Sequence, residues 1–142
     1  MNPRNEAFFA AHTSWFLAAK EQFGEESALG MLRAVMEKGL GEAYGSGFEK
    51  GSPQEFVRLV GERDKSLGLR VEFPEIGESR IVYRFLDDPF PGLKGQVAPE
   101  KLDATYMDFK VDHILGEGWS WRTTKHLWKG DECTEHVIEK GN

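Results

Sequence analysis

From Asn5 to Phe23 the apolar positions return every third or fourth residue, at Phe8, Ala11, His12, Trp15, Phe16, Ala19 and Phe23. That spacing matches the turn of an α-helix and predicts one helix with a broad apolar stripe. Pro3 suits its first turn and Gly24 its stop. A second helix is expected from about Glu25, with early acids at the positive end of its dipole and Ala28, Leu32, Val35 and Met36 facing inward. The run Gly39, Gly41, Gly45, Gly47 that follows is costly inside a helix, so it reads as a frayed end or a close helix contact. It has no preceding strand and no Gly-Lys-Ser/Thr, so it lacks the order of a phosphate loop. Ser52-Pro53-Gln54-Glu55 then starts a third helix, with Ser52 as N-cap, Pro53 at the first position and Glu55 completing a capping box. Phe56, Val57, Leu59 and Val60 supply its apolar face, and Gly68 ends it.

Past Gly68 the period drops to two. Leu69 to Phe73 and Arg80 to Phe85 alternate apolar with polar residues around a Gly77-Glu78-Ser79 turn, which predicts a hairpin of half-buried strands. Asp87 to Pro99 is loop, with Phe90 and Leu93 folded over an opening. Pro99 begins another helix, with Leu102, Tyr106, Phe109 and His113 on one face and Val111 and Ile114 beside it. Trp119 to Trp128 and Glu132 to Glu139 make a second hairpin through Lys129-Gly130-Asp131. The predicted fold class is α+β: N-terminal helices packed on one face of a roughly four-stranded antiparallel sheet built from two hairpins. A single domain is expected over 1–142, helical over about 5–68 and sheet-rich over about 69–140.

Composition narrows this picture. A chain of 142 residues, 39% hydrophobic and 12% aromatic, can bury a core without staples. Cys133 is the sole cysteine, so no intramolecular disulfide can form, which suits a reducing cytoplasm. Met1 to Glu6 lacks the basic and apolar character of a secretory signal, and no window reaches the roughly 18 uncharged apolar residues of a membrane span. The expected location is cytoplasmic, with no membrane partner. With 18 basic against 24 acidic residues, a net charge of −6 and no basic cluster, general nucleic-acid binding is not expected. A small-molecule ligand or substrate is the expected partner, with a homodimer left open.

The last hairpin concentrates the candidate chemistry. If Gly130-Asp131 is a two-residue turn, Trp128 lies opposite Cys133 and His126 opposite Glu135. Ser120, Arg122, Thr124, His126 and Trp128 then share a face with Cys133, Glu135 and Val137, and Cys133 and His126 become diagonal neighbours. A thiol beside an imidazole and a carboxylate can yield a nucleophilic thiolate. Against this, a free cysteine usually serves as a small buried hydrophobe, and a one-residue register change would part the pair. His113, His126, Cys133 and His136 are zinc-type ligands. Cys133 and His136 nevertheless point to opposite faces of a regular strand, so neither metal nor cofactor is expected.

Asp108 and Asp112 lie four apart on one helix face, with His113 beside the second. They read as a solvated face, which Lys101 and Lys110 support, or as acids pointing into a cleft above the sheet. A strand arginine such as Arg80, Arg84 or Arg122 turned inward would call for an anionic ligand. The aromatics, among them Phe8, Trp15, Tyr106 and Trp121, fill a core or enclose an apolar pocket.

The stretch from Tyr106 to Ile138 resembles the L-2-amino-thiazoline-4-carboxylic acid hydrolase-like family. The resemblance rests on Asp112-His113, on Trp121-Arg122-Thr123-Thr124-Lys125-His126-Leu127 and on Gly130-Asp131-Glu132-Cys133. It covers about a quarter of the chain with specific residues, and the cysteine that such proteins often carry ahead of the helix acid is absent here. It implies a helical layer on an antiparallel sheet and hydrolysis of a cyclic C–N bond, with Asp112, Thr124 and Cys133 carried over.

Two readings follow. The first is a small hydrolase-like enzyme acting on a compact anionic heterocycle. In it Cys133 is the nucleophile, His126 the base, Asp112 a polarising acid and Arg122 a carboxylate clamp, with Thr124, Trp121 and Tyr106 lining the substrate. The second is a non-catalytic small-molecule-binding or sensor domain of vinyl-reductase-like architecture.

Overall fold

A computed structural model describes residues 2–141. Three helices open the chain: α1 (Pro3–Phe23), α2 (Glu25–Tyr44) and α3 (Pro53–Ser66). Asn2 caps α1 by accepting from the Asn5 amide at 3.0 Å. Ser52 caps α3 by accepting from the Glu55 amide at 3.2 Å, each cap satisfying one orphan donor of a first turn. Glu55 does not close the expected capping box, because its carboxylate turns to Arg58 instead. α2 runs through Gly39 and Gly41 rather than fraying there. A Cβ at Gly41 would sit 3.5 Å from the Phe109 ring, so that glycine lies where α2 meets the next helix closely.

The strands β1 (Val71–Ile76) and β2 (Arg80–Phe85) form the first hairpin, α4 (Pro99–Ile114) follows, and β3 (Trp119–Lys125) and β4 (Thr134–Lys140) complete the sheet. All pairs are antiparallel in the order β1-β2-β4-β3, so β4 joins the two hairpins through β2. α3 lies against β1 and α4 against β3, α2 covers α4, and α1 lies on α2. The helices therefore stack on one face of the sheet, as an α+β fold requires.

The sheet's inner face presents Ile81, Tyr83 and Phe85 of β2 and Ile138, His136 and Thr134 of β4, all buried. Its outer face carries charge pairs: Arg84 with Glu72 and Glu135, Arg80 with Glu75 and Glu139, and Arg122 with Glu139. The three strand arginines thus all point away from the core. α1 is the outermost helix, so its stripe is only partly covered. Phe9, Phe16 and Ala19 are buried, while Phe8, Trp15 and Phe23 stay exposed, as do Met31 and Val35 on α2. Among the described residues no helix is long and apolar enough to cross a membrane.

Candidate functional site

Between α1, α2, the end of α3 and the loop after β2 runs a cleft that leads from the surface to the inner face of the sheet. Its mouth, about 190 Å³, is edged by Phe8, His12, Val35, Gly39 and Arg63. Its floor, about 60 Å³, is formed by Asp64, Phe85, Tyr106 and Lys110. Phe9, Met36, Leu40, Leu67 and Phe90 wall both parts. Phe90 is held over the cleft by Asp88, which accepts from the Phe90 amide at 2.9 Å and from Trp128 Nε1 at 2.8 Å. Its ring meets that of Phe9 edge-on at 5.5 Å. A wider groove of about 360 Å³ lies between α1 and Asp88–Gly92, but no buried charged group faces it.

The floor of the cleft is where charge is buried. Asp64, 3% exposed, follows Phe56 and Val60 at intervals of four on α3 and so shares their inward face. Lys110, also 3% exposed, follows Tyr106 at the same interval on α4. Lys110 Nζ donates to the Tyr83 hydroxyl at 3.0 Å and lies 3.7 Å from Asp64 Oδ1, while the Tyr83 hydroxyl donates to Asp64 Oδ2. The rings of Tyr83, Phe85 and Tyr106 surround the ammonium at 5.1, 5.3 and 5.0 Å. Burial pushes the Asp64 carboxyl up and the Lys110 ammonium down, each opposed by the charge of the other. At the rim, Arg63 Nε is covered and has no hydrogen-bond partner, and the same holds for the Tyr44 hydroxyl nearby.

A second polar group lies behind Tyr106, around a recess of about 20 Å³. The Tyr106 hydroxyl donates to Asp103 Oδ1 at 2.8 Å. His126 Nδ1 accepts from the Trp128 amide at 3.0 Å, which leaves the ring proton on Nε2 to be donated to Asp103 Oδ2 at 3.1 Å. His136, fully buried, shares a hydrogen bond between Nδ1 and the Thr123 hydroxyl at 3.0 Å, and its Nε2 has no partner. Burial lowers its imidazole to about 4.

The structure separates several residues that the sequence reading places together. The β3–β4 connection is not a two-residue turn: a single 3-10 turn covers Leu127–Lys129, Gly130 closes it in the left-handed region at φ 89°, and β4 begins only at Thr134. The register also slips between Thr123 and Lys125, where Thr123 pairs with His136 and Lys125 with Glu135. Two residues thus oppose one, which is a β-bulge. Up to the bulge the expected face holds: Arg122 lies opposite Val137, and the Thr124 hydroxyl donates to Glu135 Oε1 at 2.6 Å, all on the outer side.

Beyond the bulge the alternation is inverted, and His126 turns into the core. Its hydrogen bonds go to Asp103 and the Trp128 amide and none to Cys133, which is 2% exposed near Arg84 and Lys125. Burial raises the Cys133 thiol, a shift that disfavours the thiolate. Asp112 is exposed on α4, and Arg122 pairs with Glu139 at 3.0 Å in solvent. Trp121 is half-buried and donates from Nε1 to Asp108 Oδ1 at 2.8 Å. Of the seven candidates only Tyr106 borders the cleft.

The sequence reading missed Asp64, Tyr83, Asp103 and Lys110. It took Lys110 as part of a solvated face. The signal lay in phase: α4 is enclosed by α2 and by the sheet, so its buried arc is wide enough to include Asp103 and Lys110 beside Met107 and Ile114.

No family model matches the chain, and no curated protein matches it. Among solved structures it is similar to the phenol-responsive sensory domain of the transcription activator PoxR, determined with phenol. The TM-score is 0.65 with 13% identity, over 96% of this chain and 74% of that one. At that identity the likeness is one of fold.

Proposed function

We propose that this chain is a non-catalytic small-molecule-binding module that senses a compact, largely apolar ligand held between its helices and its sheet. The observation that carries the reading is the cleft itself. It is apolar along its walls and ends on a few convergent buried polar groups, the usual build of a small-molecule site. A fold shared with a phenol-responsive sensory domain supports the same reading. So does the isolation of Cys133 from His126, since a histidine held by Asp103 is not placed to draw a proton from that thiol.

Ligand-dependent thermal unfolding tests the proposal. Purified protein titrated with single-ring aromatic compounds is expected to show a melting temperature that climbs with ligand concentration, because a ligand bound only by the folded state stabilises it by mass action. A folded sample that shows no rise with any of them overturns the reading. Incubation with L-2-amino-thiazoline-4-carboxylate tests the enzyme alternative. Loss of substrate by mass spectrometry above a Cys133→Ala control would replace sensing by hydrolysis.

A further inference from the structure

The charged groups around the cleft do not balance. Two cationic side chains, Lys110 at the floor and Arg63 at the rim, line the cleft with one carboxylate, Asp64. Asp103, the other buried carboxylate that acts on Lys110, is taken up behind Tyr106 by the Tyr106 hydroxyl and His126. Asp64 Oδ2 is already engaged by the Tyr83 hydroxyl. Lys110 makes one hydrogen bond, to Tyr83, and at 3.7 Å its contact with Asp64 is an ion pair too long to count as a second. Arg63 Nε and the Tyr44 hydroxyl are covered and have no acceptor at all. A buried donor without an acceptor is costly, and Arg63 Nε and the two remaining Lys110 protons, which can only donate, leave the lining of the cleft short of acceptors. The walls leading there are apolar and aromatic. Floor and mouth, about 60 and 190 Å³, bracket the roughly 150 Å³ that encloses a benzene ring.

We infer that the ligand is a small apolar acid, a single ring bearing one carboxylate, with its ring between Phe9, Leu40 and Phe90 and its carboxylate facing Lys110 and Arg63. This rests on the binding-module reading and gives it a ligand class. The carboxylate supplies the acceptors that the donors lack and places a negative charge between the two cations that line the cleft, and the ring displaces water from the walls. A neutral ring of the same shape fills the same space but leaves the second cation uncompensated.

Calorimetric titration of the whole chain at pH 7 with benzoate and with benzamide separates the two. They share a ring and nearly a shape, and differ in charge. Benzoate is expected to bind about tenfold more tightly or better, the worth of one hydrogen bond to a charged group. Arg63→Gln, at the half-exposed rim, is expected to cut the benzoate advantage severalfold, read as the ratio of the benzoate and benzamide affinities. Lys110→Met is expected to abolish the advantage, and the Arg63 variant keeps the test decisive if the Lys110 variant does not fold. Benzamide binding as tightly as benzoate, or an advantage that survives Arg63→Gln unchanged, overturns the acid while leaving the module intact. Failure of both probes together with the neutral aromatic compounds, on folded protein, overturns the acid and the module together.

Discussion

The two faces of the sheet hold the same chemical groups in opposite surroundings. On the outer face Arg84 lies between Glu72 and Glu135, and Arg80 and Arg122 share Glu139. Most of these side chains are wet, so their attraction is screened and their geometry can relax. On the inner face Lys110, Asp64 and Tyr83 form one compact knot from which water is excluded. There each group depends on the others, because none can turn to solvent when a partner is lost. The outer pairs are replaceable ornament on a sheet held by its hydrophobic underside. The inner knot is a constraint the fold must satisfy, whereas each outer arginine is met by a glutamate that can be lost to water at little cost.

The sharpest way to break this contrast is Lys110→Met. It strands the Asp64 carboxyl in the core and is expected to destabilise the fold by about 3–5 kcal/mol in urea unfolding at pH 7. Little change would mean that the knot is no more demanding than the surface. Tyr83→Phe comes next. It removes the hydroxyl that links Lys110 to Asp64 and is expected to cost about 1–3 kcal/mol by the same measurement.

A third prediction concerns pH. His136 stays unprotonated in the folded chain down to about 4, whereas an unfolded histidine takes its proton near pH 6.5. Between those values the unfolded state binds more protons, so stability falls as the pH drops from about 6.5 towards about 4. His136→Gln is expected to flatten that part of the urea midpoint against pH.

The smallest effect is expected outside. The Thr124 hydroxyl and Arg84 hold the Glu135 carboxyl below its ordinary value, so its contribution is present at neutral pH and is lost as the pH falls through that lowered value. Glu135→Gln should therefore alter only the acid end of the curve, and shift the midpoint at pH 7 by less than Tyr83→Phe does.

The layered α+β architecture was legible because it rests on period. Each helix and each strand carries an apolar repeat long enough to read, and Pro3, Ser52 and Pro53 sit where helix starts need them. The cleft was not legible, because its two charged residues occupy positions in phase with an apolar stripe. A lysine four after Tyr106 looks like the edge of a solvated face unless α4 is known to be covered on two sides. The register on which the thiol–imidazole pair rested was not legible for a different reason. A strand's faces can be read only while its alternation is unbroken, and the extra residue between Thr123 and Lys125 breaks it two positions before His126. Ile81, Tyr83 and Phe85, by contrast, fall on one face as the alternation demands.

The strand order has a consequence in time as well as in space. β1 and β2 are close in the chain and can pair as soon as both exist, but β2 and β3 have no edge in common and meet only through β4. Arg84 and Glu135, partners across that seam, are 51 positions apart. Closing so long a loop costs entropy before any ladder bond repays it, so the hairpins and helices can assemble while the seam between them is still open. During synthesis the floor of the cleft is therefore a late acquisition: β2 supplies Tyr83 and Phe85 early, and β4 must arrive before the sheet beneath them is whole.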